Sequence, residues 1–151
     1  MFELSQRSLS NLEGVDADLA LVVCDAIKHT NVDFGVIQGL RTLEEQKELV
    51  ARGASKTMKS KHLDGLAVDL MAYTNAGRAS WEIPMYYEVA EAMAEAAIEN
   101  DVRIRWGGAW SVLDIGNWNG TMADAMNSYI DLRRKQGRTP FIDCPHFELS
   151  K

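Results

Sequence analysis

The hydrophobic pattern changes period several times along the chain, and each change marks an element. Over residues 16–29, Leu19, Val22, Val23, Ala26 and Ile27 recur at helical spacing, which predicts a core-facing helix. The β-rich run Asp33–Gln38 is closed by Gly39, so a strand is expected to turn there into a second helix. Thr42 and Glu45 form a capping-box pattern at its start, and Leu43, Gln46, Leu49 and Val50 carry one face. Residues 52–61, RGASKTMKSK, are small, basic and polar and predict a loop beside a cleft. The period then falls to two. Across Ala67–Tyr73, Val68, Leu70 and Ala72 point one way, and Ala67, Asp69, Met71 and Tyr73 the other.

After a polar connection over residues 73–80, Trp81 to Pro84 lead into the clearest helix of the chain. Tyr86, Val89, Ala90, Met93, Ala97 and Ile98 form its apolar stripe, and Glu88, Glu91, Glu95 and Glu99 make a solvated row opposite. Val102, Ile104 and Trp106 alternate with Arg103 and Arg105 in another strand. It ends in WGGAW, whose paired glycines permit a sharp turn and close backbone approach between Trp106 and Trp110. Residues 111–120 read as a loop. Thr121 opens a helix to about residue 136, whose basic end (Arg133, Arg134, Lys135, with Arg138 beyond) suits the negative end of the helix dipole. A closing strand over residues 145–149 directs Phe147 and Leu149 to the core, and His146 and Glu148 to the face that carries Asp69. Short strands among helices, without a regular β-α-β rhythm, predict an α+β fold with a small, mostly antiparallel sheet.

Composition narrows this picture. A chain of 151 residues with 46% hydrophobic content can bury one substantial core, so one domain over residues 1–151 is expected, acting as a monomer. No apolar run reaches the length of a membrane span, and MFELSQRSLSNLEG has neither the basic start nor the apolar centre of a secretory signal. Synthesis in the cytoplasm without membrane insertion is the expectation. Cys24 and Cys144 are too few and too far apart for a disulfide framework and read as reduced thiols. The net charge of -6 gives no electrostatic reason to expect nucleic acid as a partner.

The candidate chemistry lies with the histidines. Of the three, His29 belongs in the last turn of its helix, where an imidazolium suits the dipole. His62 and His146 each have a carboxylate close in sequence, Asp69 and Asp143 respectively. Catalytic zinc typically takes three protein ligands and leaves a fourth position for water, so His62, Asp69 and His146 suffice, with Asp143 left as a base. An inward carboxylate such as Asp69 must be paired or bind a metal, since burying it alone is expensive. Asp64, beside Gly65, reads as a turn residue. Glu148 shares the strand face of His146 and is either the alternative base or the group that orients that ligand. Arg41 occupies a strand-to-helix corner with Gln38 beside it, and the pattern alone leaves a cleft role and an ordinary surface arginine equally open. Trp106, Trp110 and Trp118 read as core residues.

Two stretches also carry a family resemblance. SKHLDGLAVDL, from Ser60 to Leu70, matches the S-x-H-x-x-G-x-A-x-D motif of the M15 zinc peptidases, and Asp143 to His146 matches their D-x-x-H motif. The group includes VanY-like D,D-peptidases and phage L-alanyl-D-glutamate endolysins. IQGLRT, WGGAW, PHFEL and the opening LSQRSLSNLEGV resemble the phage branch. The resemblance implies a hedgehog/D,D-peptidase-like fold and one zinc ion held by His62, Asp69 and His146. It further implies Asp143 as general base, Arg41 as a clamp on substrate or transition state, and Ser60 and Gln38 lining the substrate site. Cys144 is not part of the motif. The activity implied is hydrolysis of a peptidoglycan stem-peptide amide, L-Ala-D-Glu first, by an endolysin that reaches the wall after release from the host cytoplasm. A D-alanyl-D-alanine carboxypeptidase and a zinc-stabilised wall-binding module are the alternatives.

Overall fold

In the computed structural model, which describes residues 1–150, the elements run α1 (Gln6–Asn11), α2 (Ala17–His29), β1 (Asp33–Gln38), α3 (Leu43–Ala51), β2 (Ala67–Tyr73), β3 (Ala79–Ser80), α4 (Ile83–Glu99), β4 (Ile104–Trp106), α5 (Met122–Lys135) and β5 (His146–Leu149). Single 3-10 turns cover Lys61–Asp64 and Ile115–Asn117. The α+β reading holds. The sheet order is β1-β2-β5-β4, with β3 also on β2, and every pairing among the described residues is antiparallel.

Hydrophobic burial decides where the helices go. Leu19, Val22, Val23, Ala26 and Ile27 of α2 are buried, together with Tyr86, Val89, Ala90, Met93 and Ala97 of α4. Each large apolar side chain so buried contributes about 1.5–3 kcal/mol, more than the ~1 kcal/mol of the Asp16 cap on α2. These faces pack with one face of the sheet, where Phe34, Val36, Val68, Leu70, Ile104, Trp106 and Phe147 join the same core cluster. Trp106 stacks on Phe147, with ring centroids 6.4 Å apart. No helix among the described residues is long and apolar enough to cross a membrane.

Three sequence expectations need correction. Ile98 is 62% exposed, because the stripe of α4 has rotated off the core by its last turn. Leu43 is also exposed, and Gln46 is the one buried residue of α3. At the N-terminus, where no element was expected, α1 covers the edge of β1. Ser8 Oγ accepts the Val36 N–H at 2.9 Å, and Asn11 Nδ2 donates to the Val36 carbonyl at 2.7 Å. Six residues without an apolar period form this helix because they close an exposed strand edge.

Register places the polar face. Asp69 pairs directly with His146 on one side and with Gln38 on the other. An irregularity between Val36 and Gln38 inserts Ile37, so the pairing moves from Val36 with Leu70 to Gln38 with Asp69. Opposite residues of an antiparallel pair share a face, so Asp69 and His146 stand side by side, away from Val68 and Phe147.

Candidate metal centre

His62 enters from the 3-10 turn that Ser60 caps, its hydroxyl accepting the His62 backbone N–H at 3.2 Å. The His62 ring is almost wholly buried, and its Nδ1 lies 2.9 Å from the carbonyl of Gly39. A carbonyl only accepts, so Nδ1 carries a proton, and Nε2 is the nitrogen turned toward Asp69. That Nε2 lies 3.3 Å from Asp69 Oδ1. His146 approaches the same oxygen with Nδ1 at 3.2 Å, while its Nε2–H donates to Glu148 Oε1 at 2.8 Å. One donor atom from each of His62, Asp69 and His146 lies within 4.8 Å of the others. Two imidazoles fixed by their far nitrogens, with a carboxylate between them, form a donor set that fits a borderline cation such as zinc.

Electrostatics agree with that geometry. Burial alone would raise the Asp69 pKa, but hydrogen bonds and charge from His146 and His62 hold it far below the usual carboxylate range. Burial would likewise lower His146, yet Asp69 and Glu148 push it up to about 9. Glu148 is itself held low: bonds from His146 and Lys61 overcome the effect of its burial. Lys61 Nζ lies 2.9 Å from Glu148 Oε2 and donates to the Leu149 carbonyl at 2.6 Å.

Asp143 stands apart from this charge cluster in one respect. Burial and the negative charge of Asp69 raise its pKa, while His146, His62 and Arg41 draw it down. Its backbone is pinned by the glycine turn after β4: the Asp143 N–H donates to the Gly107 carbonyl at 2.9 Å. A Cβ at Gly107 would sit 2.2 Å from the Asp143 carbonyl oxygen. The close approach expected between Trp106 and Trp110 is thus realised by Gly107 against the Asp143 segment.

Asp69 and Asp143 share a cleft of about 390 Å³, walled by Ile37, Trp81, Ile83, Tyr86 and Ile142 among others. Cys144 also lines it, its thiol pushed up to about 11 by burial and by Asp143, so it stays protonated. Arg41 reaches the centre from α3's side. Its Nη2 is 3.9 Å from Asp69 Oδ2, and its Nη1 donates to Gln46 Oε1 at 2.7 Å and to Ser60 Oγ at 3.4 Å. All of the residues proposed from sequence therefore border one site, Gln38 through its register with Asp69.

Sequence reading missed three neighbours. Gln46 and Lys61 hold site residues through contacts that no local pattern reveals. Trp110, read as core, is only half-buried and packs on His146 with ring centroids 5.3 Å apart, and Phe141 stacks on it at 6.2 Å.

Comparison with known proteins settles the family. A family model described as phage L-alanyl-D-glutamate peptidase matches residues 1–150. The chain belongs to this family. It is a peptidase, as the resemblance implied. The L-alanyl-D-glutamate peptidase of Escherichia phage T5 is 30% identical over 114 residues, covering 73% of this chain and 82% of that relative. The crystal structure of the L-Ala D-Glu endopeptidase ChiX of Serratia marcescens superposes with a TM-score of 0.71 at 35% identity, covering 95% of this chain and 86% of ChiX. The two-motif pattern and the fold thus point to the same peptidase family.

Proposed function

We propose that residues 1–151 form one zinc-dependent catalytic domain that hydrolyses the L-Ala-D-Glu amide of the peptidoglycan stem peptide. It would act as a monomeric endolysin on the wall after synthesis in the host cytoplasm. The observation that carries this reading is the convergence of His62, Asp69 and His146, with Asp69 lining the cleft that also holds Asp143. These three residues would hold one zinc ion, which when bound lowers the pKa of water to about 7 and polarises a carbonyl.

The chain's own groups then divide the work. Asp143, raised in basicity by burial and by the negative charge of Asp69, takes the proton of the attacking water and passes it to the leaving amine. Glu148 is committed to His146 and Lys61 and has no free oxygen for that task. Arg41 clamps an anionic substrate oxygen, because its buried Nε has no hydrogen-bond partner among the described residues and shares an edge with Nη2. Leaving such a donor buried without an acceptor costs about 1–3 kcal/mol, which a bound carboxylate or oxyanion would offset. Ser60 and Gln38 line the approach.

Digestion of purified sacculi followed by mass spectrometry tests the bond. New L-Ala carboxyl and D-Glu amino ends are expected, and release of D-Ala alone would move the assignment to a carboxypeptidase. Asp143→Asn should keep zinc and fold while turnover falls about 100-fold or more. Near-normal turnover in that variant would remove Asp143 as the base.

A further inference from the structure

Gln46 is the only buried residue of α3, with none of its surface exposed. An amide at a core position is costly unless its polar atoms are bonded, and here both ends are. Its Oε1 accepts Nη1 of Arg41 at 2.7 Å, and its Nε2 donates to Ser55 Oγ at 2.9 Å and to the Thr57 carbonyl. Ser55 and Thr57 belong to the basic loop that follows α3. The same loop ends at Ser60, whose hydroxyl is the second acceptor of Arg41 Nη1. The Arg41 backbone N–H donates to the His62 carbonyl at 2.9 Å, so both ends of this arginine are tied to the metal-centre segment.

The consequence lies in which edge of the guanidinium remains free. Nη1 is taken by Gln46 and Ser60. Nη2 and the unpartnered Nε form the opposite edge, with Nη2 3.9 Å from Asp69 Oδ2. Without the neutral acceptor on Nη1, the strongest fixed acceptor within reach is the Asp69 carboxylate. An arginine closing on it would form a fork-to-carboxylate pair, and would take a metal-binding oxygen and the clamp out of use together.

We propose that Gln46 is a positioning residue for the peptidase reaction: it fixes Nη1 of Arg41 so that the Nε/Nη2 edge is held short of closing on Asp69, with Nη2 3.9 Å away, and is left for an anionic oxygen of the substrate. This rests on the reading of Arg41 as the substrate clamp. The test is a double-mutant cycle with zinc-loaded protein and a muropeptide containing the L-Ala-D-Glu bond. Arg41→Met is expected to lower kcat/KM about 100-fold, and Gln46→Met about tenfold or more, as misplaced groups do. In the Arg41→Met background, Gln46→Met should cost nothing further. Zinc affinity, measured by chelator competition, should fall in Gln46→Met and recover in the double variant, where no arginine is left to close on Asp69. If Gln46→Met lacks a cooperative thermal transition, Gln46→Ala serves in the same cycle. An equal loss from the Gln46 change with and without Arg41 would overturn the proposal while leaving the clamp intact. A full-rate Arg41→Met would overturn both.

Discussion

His62 and His146 present an imidazole nitrogen to the same oxygen of Asp69, at 3.3 and 3.2 Å, yet they are held by different kinds of partner. The far nitrogen of His62 donates to a neutral backbone carbonyl, that of Gly39. The far nitrogen of His146 donates to a carboxylate, Glu148, which is neutralised in turn by Lys61. The first arrangement fixes orientation and adds no charge. The second also raises the basicity of the ligand, so it can be tuned by side-chain substitution where the first cannot. One histidine of the centre is thus set by the path of the main chain, and the other by an ion pair.

The largest effect is expected at the backbone partner of His62. A Cβ at position 39 would lie 2.0 Å from the Asn11 carbonyl oxygen and 2.8 Å from Val15 Cγ2. The obstruction is main chain at the end of α1, which cannot turn aside. Gly39→Ala is therefore expected to cost about 2 kcal/mol or more in stability and to shift the carbonyl that aims His62. Denaturation of the metal-free protein and zinc titration would show both losses. Normal zinc affinity in this variant would mean that the Gly39 carbonyl does not set the ligand.

The carboxylate partner gives the next effect. Glu148→Gln keeps an acceptor for the His146 Nε2–H but removes the charge, and zinc affinity should fall about 10–100-fold. A pH series sharpens this. The folded pKa of His146 is about 9, above the ordinary 6.5, because the hydrogen bonds of Asp69 and Glu148 outweigh burial. Its contribution to the stability of the metal-free chain is thus full below pH 6.5 and is lost as pH climbs toward about 9. A metal on Nδ1 displaces that proton, so apparent zinc affinity should rise across the same window. Glu148→Gln should narrow the window from its upper end. An unchanged pH dependence would show that Glu148 does not tune His146.

How much of this was legible in sequence follows from the range of each interaction. His62 and Asp69 stand seven positions apart in one motif, and His146 carries its own, so residue type and spacing brought out all three candidates that the fold places together. The fold class was equally plain, since the periods of α2, α4 and β2 are set by local burial. Gln46 looked like one more member of a half-apolar face, because its partner Arg41 is fixed only once the loop through Ser60 closes. Trp110 looked like core, because nothing local says that a tryptophan after two glycines will lie against His146. The helix α1 has no apolar period at all. It exists through its bonds to Val36, a tertiary cause that no window on residues 6–11 contains.

The smallest expected effect belongs to Lys61. It touches Glu148 Oε2 at 2.9 Å while the other oxygen, Oε1, serves His146, so it acts on the centre at one remove. Lys61→Met has two opposed consequences. Glu148 loses the contact that fixes its rotamer, which weakens its aim at His146. It also loses a neutralising cation, which leaves more negative charge on the oxygen that His146 donates to and makes that ligand more basic. Because the two partly cancel, the change in zinc affinity should stay below the tenfold at the lower end of the range for a direct orienting partner. Stability should fall more visibly, since a mostly buried carboxylate is left with one partner fewer. The decisive arm is the double variant: with Gln at position 148 there is no charge for Lys61 to neutralise, and Lys61→Met should then leave zinc affinity unchanged. The same fold-change in both backgrounds would mean that Lys61 reaches the metal centre by another route, through its bond to the Leu149 carbonyl and the end of β5.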